Sequence, residues 1–219
     1  PDTRFDMEIQ DISELVKNCG FGVFTSAIEA GGSVRAIVAK NSAKVLTRKE
    51  IDKLTEMVRG IGAKGLAFVR WVDEKPSCSF AKFLAEGELE SILARIGCQQ
   101  GDVVLIVADK NKITLPVLGA LRLQVAKQLD IIPENQFNFL WITEFPFFEW
   151  DDESNTWLAM HHPFTMPMDD CIQYLDSAPE KVIAKAFDLV LNGTELSSGS
   201  IRITDYELQQ KMFQSLGLT

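Results

Sequence analysis

A chain of 219 residues allows one large domain or two modest ones, and 46% apolar with 24% charged residues is ordinary for a globular protein. No apolar run approaches the roughly 18 residues that span a bilayer, and the polar start PDTRFDMEIQ has no apolar h-region, which excludes a signal peptide. A net charge of −9 without a basic stripe makes this chain by itself a poor nucleic-acid binder.

In chain order, Pro1 stands where a starting Met would, so the chain is expected to begin inside a longer protein. DISELVKNC reads as a short helix. FGVFTSAIEA and SVRAIVAK read as two strands joined by a hairpin at Gly31-Gly32. Thr47 to Glu50 has the form of a capping box, and Ile51, Leu54, Met57, Val58 and Ile61 then share a helical face that Gly60 and Gly62 end. LAFVRWV is a strand and DEKPSCS a loop. GELESILARIG is a helix with Leu89, Ile92, Leu93 and Ile96 inward. DVVLIVAD is near-continuously apolar, as an interior strand requires. Thr114 is expected to cap a helix to about Leu129.

Past Pro133 the texture changes to aromatics and β-formers. Asp151-Asp152-Glu153-Ser154-Asn155 supplies turn chemistry between two strands. An amphipathic helix is expected from Pro179 to Leu191, stopped at Asn192-Gly193. GSIRI is a short strand, and Thr204 to Glu207 reads as a second capping box. Boundaries near 20 and 133 divide the chain into residues 1–20, 21–132 and 133–219, the layout of one fold interrupted by another. The fold class is α+β.

The residues that could carry chemistry are few. Both histidines of the chain, His161 and His162, are adjacent. On a strand they would point to opposite faces, so one at most faces a given pocket, and an imidazole suits an anionic ligand. A metal site is weakly supported, with no third ligand at metal spacing. Arg202, between Ile201 and Ile203, reads on its own as a solvent-facing residue of an edge strand. The sharper reading is a guanidinium fork for a carboxylate. Glu195 is either a solvated acid or a Mg²⁺ ligand beside phosphates. Glu144 and Glu149 form an acid pair without a companion nucleophile. Ser197-Ser198-Gly199-Ser200 has no nucleophile-elbow pattern, and GxxxxGK[ST] and GxGxxG are absent. Cys19, Cys78, Cys98 and Cys171 make no CxxC pair and read as reduced thiols of a cytoplasmic protein.

WITEFPFFEWDDESNTWLAMHHPFTMP and NGTELSSGSIRI together resemble the C-terminal half of the catalytic core of bacterial-type aspartyl-tRNA synthetases, and PDTRFDMEI resembles the segment before that family's insertion. Residues from about 21 to 130 resemble the inserted GAD domain, which the B subunit of the tRNA-dependent amidotransferase shares. The resemblance covers essentially the whole chain. It implies a GAD lobe (21–132) beside an incomplete class II antiparallel sheet built from 1–20 and 133–219. It implies an enzyme that activates aspartate with ATP and Mg²⁺ to aspartyl-adenylate and esterifies tRNA(Asp), working as a homodimer in the cytoplasm, with no membrane partner. Carried over, His161 contacts aspartate, Arg202 grips its side-chain carboxylate, Glu195 is the ATP/Mg²⁺ contact, and His162 is a supporting neighbour.

The sequence departs from the family pattern where Thr194 replaces a usual Tyr, Ser197-Ser198 replace Gly-Gly and Thr204 replaces a frequent His. An anticodon-binding OB-fold and class II motifs 1 and 2 are not found, and the chain stops at Thr219, before motif 3. The expectation is a fragment that neither activates aspartate nor charges tRNA by itself, and whose missing strands leave apolar edges open to pairing. The competing readings are a GAD-containing binding module of an amidotransferase subunit, which would not be expected to carry FPFFEW, HHPFT and SIRI, and a plain α+β structural domain, which leaves the paired histidines unexplained.

Overall fold

The computed structural model describes residues 1–151 and 153–218. The chain divides into two compact units, Phe5–Glu134 and a sequence-discontinuous one made of Pro1–Arg4 with Asn135–Thr219. Both mix helices with antiparallel sheet, so the α+β class is observed.

In the 5–134 unit the elements run β1 (Gln10–Asp11), α1 (Ser13–Val16), α2 (Gly22–Glu29), β2 (Ser33–Ala39), α3 (Arg48–Ile61), β3 (Ala67–Arg70), β4 (Ser77–Cys78), α4 (Glu88–Arg95), β5 (Val103–Asp109) and α5 (Asn111–Gln128). The sheet order is β1-β2-β5-β3-β4, with every pair antiparallel. β5 lies in the middle, and its unbroken apolar run is explained by burial on both sides. Val103, Leu105 and Val107 pack into a core with α3 and α5. Val104 and Ile106 pack into the opposite core with α1, α2 and α4. The alternation follows from the two-residue period of a strand.

Residues 5–20 belong to this unit and not to the other, so the first boundary falls at Arg4/Phe5 instead of near residue 20. The cause is burial: Phe5 and Met7 sit in the first core, Ile12 and Val16 in the second. Asp6 and Met7 adopt left-handed backbone angles, and the buried Arg122 of α5 donates to both of their carbonyl oxygens while lying over the Phe5 ring.

FGVFTSAIEA is a helix, not the first strand of a hairpin. Its apolar residues include Phe24, which is fully buried, with Phe21 and Ile28 packed against the same core. Gly31-Gly32 ends this helix. Gly31 N–H donates to Ile28 O and Gly32 N–H to Ala27 O, the paired bonds of a Schellman cap, with Gly31 at φ 74°. Gly32 is held to glycine by proximity, because a Cβ there would stand 2.4 Å from Asp109 O. At α3 the Thr47 hydroxyl accepts from Glu50 N–H, but the Glu50 carboxylate pairs with Lys53 instead of closing the box. α5 begins at Asn111, three residues before the expected cap. Thr114 is buried inside it and its hydroxyl donates to Asp109 O.

The second unit contains β6 (Phe139–Ile142), β7 (Phe145–Pro146), β8 (Phe148–Asp151), β9 (Thr156–Ala159), β10 (Ile183–Ala184), β11 (Ala186–Leu191), β12 (Thr194–Ser200) and α6 (Tyr206–Ser215). They form a three-stranded sheet β12-β11-β6 and the pairs β8-β9 and β10-β7. Phe147, Phe148, Leu175, Val182, Ala184 and Met212 make its core. β8 and β9 are the strands expected around the acidic turn, where the Asp151 carboxylate accepts from the Ser154 N–H and hydroxyl; Asp152 lies outside the described residues.

The helix expected from Pro179 to Leu191 is instead one 3₁₀ turn (Pro179–Lys181) followed by β10 and β11. AFDLVL alternates with a period of two, and Asn192 and Gly193 both have positive φ (50° and 86°), the geometry of a tight hairpin turn into β12. α6 is capped by Asp205, whose carboxylate accepts from Leu208 N–H, one residue after the expected Thr204. No helix among the described residues is long and apolar enough to cross a membrane.

Candidate functional site

The two histidines lie in the turn after β9, not on a strand. His161 is half-buried with its ring edge-on to Phe145 at 4.9 Å, and its Nε2 is shielded from solvent without a hydrogen-bond partner. His162 is exposed. Its Nδ1 accepts from Phe164 N–H at 3.3 Å, and its carbonyl accepts from Thr165 N–H at 2.8 Å. The first imidazole therefore keeps a free ring nitrogen, while the second closes its own turn.

That turn leads directly into a short antiparallel pairing with the arginine segment. Thr165 and Arg202 form a β-bridge. Met166 N–H donates to Ile201 O, and Ile203 N–H to Phe164 O. Thr165 is fully buried and its hydroxyl donates to Ser200 Oγ at 3.3 Å. The GSIRI strand is thus two pieces: β12 ends at Ser200, and Arg202 is held by this single bridge. Arg202 is exposed, and among the described residues its guanidinium has neither a hydrogen bond nor an ion pair. Five N–H donors are held there without an anion.

Glu195 sits on β12, exposed, opposite Val190 of β11. The register carries a bulge. Leu189 faces Ser197 and Val190 faces Glu195, so Leu196 is the extra residue. A bulge re-aims side chains, and this one turns Glu195 to the face that carries Val190, Asp188 and, across from Asp188, Ser198 and Ile142. Asp188 was not among the residues that the sequence singled out. It was hidden because 179–191 was assigned to a helix; the Asn192-Gly193 hairpin signal would have placed it on a strand facing Glu195's side. Asp188 and Glu195 thus share one face of the sheet, and among the described residues no group of three or more His, Cys, Asp or Glu side chains is placed to hold a metal ion.

Ser197 and Ser198 stand in β12 with exposed side chains and do not break the strand. A Cβ at Gly199 would lie 2.5 Å from the Phe187 ring, so any larger residue there requires that ring to move. No hydrogen bond or ring contact joins His161, His162, Glu195 and Arg202 directly among the described residues. What the structure brings together is the two backbone segments that carry His161-His162 and Arg202. Glu144 and Glu149 are both exposed, Glu149 on β8 and Glu144 at a left-handed residue before β7, and neither has a catalytic companion.

The GAD domain family matches residues 24–118, from α2 into α5. Over its whole length the chain is 55% identical to an aspartate–tRNA ligase of Agathobacter rectalis and 54% identical to one of Ruminiclostridium cellulolyticum. The chain is a GAD-containing segment of the bacterial aspartate–tRNA ligase family. It spans 37% of the length of these relatives. A Bacillus cytotoxicus relative, named as an aspartate–tRNA(Asp/Asn) ligase, is 50% identical over the same span. The family match continues through 135–218, so the histidine turn, β11, β12 and Arg202 all lie inside the region shared with these ligases.

Proposed function

We infer that these residues supply the substrate-carboxylate end of an aspartate–tRNA ligase site, with residues 5–134 an insertion between two parts of the catalytic fold. The observation that supports this reading is the unpaired Arg202 guanidinium, tied through the Thr165 bridge to the segment that begins at His161. In it Arg202 forks onto the aspartate side-chain carboxylate, and His161, with its free Nε2, donates to the substrate. His162 holds the turn. Asparagine, neutral at the same position, would leave the guanidinium without an anion, and a site built for a charged partner rejects the analogue that lacks it.

ATP enters as a substrate with Mg²⁺, and Asp188 and Glu195 are the groups on this chain that would meet it. Attack of the aspartate α-carboxylate on the ATP α-phosphorus, with loss of pyrophosphate, is then promoted by positioning and by neutralised charge. The adenylate passes its aspartyl group to the 3′ end of tRNA(Asp). The class II sheet, this activity and the homodimer belong to the whole ligase. The 219 residues alone hold Glu195 and the fork in exposed positions and Asp188 half-buried, and are inactive in this reading.

The test is pyrophosphate exchange. The chain alone shows none. A chimera in which it replaces the matching 221 residues of the Agathobacter rectalis ligase shows aspartate-dependent exchange. Robust exchange by the chain alone, or a folded but dead chimera, contradicts the reading.

A further inference from the structure

The 5–134 unit contains a cavity that the ligase reading does not use. β5 pairs with β2 as far as Asp109, but with β3 only as far as Ile106. Three residues of β5 therefore run past the end of β3 and leave a notch in the sheet. α2 closes one side of this notch with small side chains, Ser26, Ala27 and Ala30, so the space is not filled. The resulting cavity measures about 620 Å³, within the roughly 300–1,000 Å³ typical of small-ligand sites. Leu66 and Ile106 make its apolar floor.

Its charges are unlike those of the rest of the molecule. Arg59, Lys64 and Lys110 line it with one acid, Asp109, a net +2 in a chain of net −9. Lys64 and Lys110 are exposed, and Arg59 is shared with the exposed Glu56 at 2.8 Å. Asp109 is 5% exposed. Its Oδ1 accepts from Lys110 N–H at 2.8 Å. Its Oδ2 takes no hydrogen bond, and Lys64 Nζ, at 4.0 Å, is beyond hydrogen-bond reach. A buried acceptor left empty is costly and asks for a donor.

The lining thus asks for three properties in one ligand: an apolar body, an N–H donor and a strong negative charge. Inorganic phosphate lacks the body, a fatty acid lacks the donor, and a single amino acid is too small and carries too little charge. A phosphate monoester approaches two negative charges at neutral pH, which matches the lining. We propose that this cavity binds a 5′-mononucleotide. The base lies between α2 and the Leu66–Ile106 floor. Its N–H donates to Asp109 Oδ2 after the exposed Lys64 side chain swings outward. Its phosphate is held by Lys64, Lys110 and Arg59. An unstacked nucleotide of RNA offers the same base chemistry with a singly charged diester, so the two sources are separable. The proposal is independent of the ligase reading.

The experiment titrates AMP, GMP, CMP and UMP into the 219-residue chain by calorimetry. At least one is expected to bind with a Kd below about 1 mM, and its nucleoside and inorganic phosphate are each at least about tenfold weaker. Lys64→Glu, at an 80% exposed side chain, weakens the nucleotide at least about tenfold without altering thermal unfolding. Asp109→Asn also weakens it; should that variant not fold, Lys64→Glu decides alone. A single-stranded oligonucleotide of the preferred base that binds more tightly than the mononucleotide, with the same Lys64→Glu sensitivity, supports the site and assigns its source to RNA; weaker oligonucleotide binding supports the free nucleotide. Failure of all four mononucleotides and the oligonucleotide to bind at about 10 mM, or affinity indifferent to Lys64→Glu, overturns the proposal.

Discussion

The two units have similar proportions of apolar residues and use them to different ends. In residues 5–134 the central strand is buried on both faces, and even short segments such as 5–7 are locked by a buried arginine. In residues 135–218 the three-stranded sheet leaves Phe139 and Trp141 at 60% and 61% exposure, and the residues suited to ligand chemistry are exposed or half-buried. The first unit is organised for its own stability. The second holds Glu195 and the Arg202 guanidinium open to solvent. Stability and chemistry are therefore separable by mutation.

The largest effect is expected at Leu105, fully buried in β5. Leu105→Ala should cost about 3 kcal/mol, read as lost hydrogen-exchange protection of the β5 amides in urea. Trp141→Ser, on the open sheet face, should stay within about 0.5 kcal/mol. An equal loss from both would erase the contrast between the units. Next comes Gly199→Ala, which forces the Phe187 ring to move. About 1–3 kcal/mol of strain is expected, visible as altered ring contacts between Trp141 and Phe187, which now meet edge-on at 5.4 Å.

A smaller effect sharpens the position of a cap. Asp205→Ala should destabilise α6 by about 1 kcal/mol, while Thr204→Ala should change it by less than about 0.5 kcal/mol; helicity of a 200–218 peptide measures both. The smallest effect is on reactivity. Burial pushes the Cys78 thiol up to about 11. A raised thiol pKa means that the folded state favours the protonated form, and this preference is present below the ordinary value of 9.0 and is lost as pH rises towards about 11. At pH 9, alkylation of Cys78 should be slower in the folded chain than in the urea-unfolded one, because the thiolate is the nucleophile.

Sequence reading was most reliable where a single period dominated. α3, α4 and β5 could be read because their apolar spacing admits one solution. It failed where composition and period disagreed. FGVFTSAIEA is rich in β-formers, yet its helical face and the double glycine made a helix end. The 179–191 stretch has helix-like spacing, yet Asn192-Gly193 made it a strand and brought Asp188 to the face of Glu195. The first boundary was misplaced because Phe5 and Met7 gain their burial from partners about 30–120 residues away, which no local pattern contains. Of the candidate site, His161, Glu195 and Arg202 could be singled out in the sequence, and Asp188 could not. The bulge at Leu196, the Thr165–Arg202 bridge and the turn position of the histidines depend on pairing between distant segments and were not legible there.

The central claim is that Arg202 recognises a carboxylate of the substrate amino acid. The most direct measurement is pyrophosphate-exchange kinetics of Arg202→Lys in the chimera described above, with aspartate and ATP varied separately. Lys retains the charge but not the fork, so kcat/KM for aspartate is predicted to fall about 100-fold or more while the KM for ATP changes less than about threefold. Unchanged aspartate kinetics, or an equal loss for both substrates, would contradict the account.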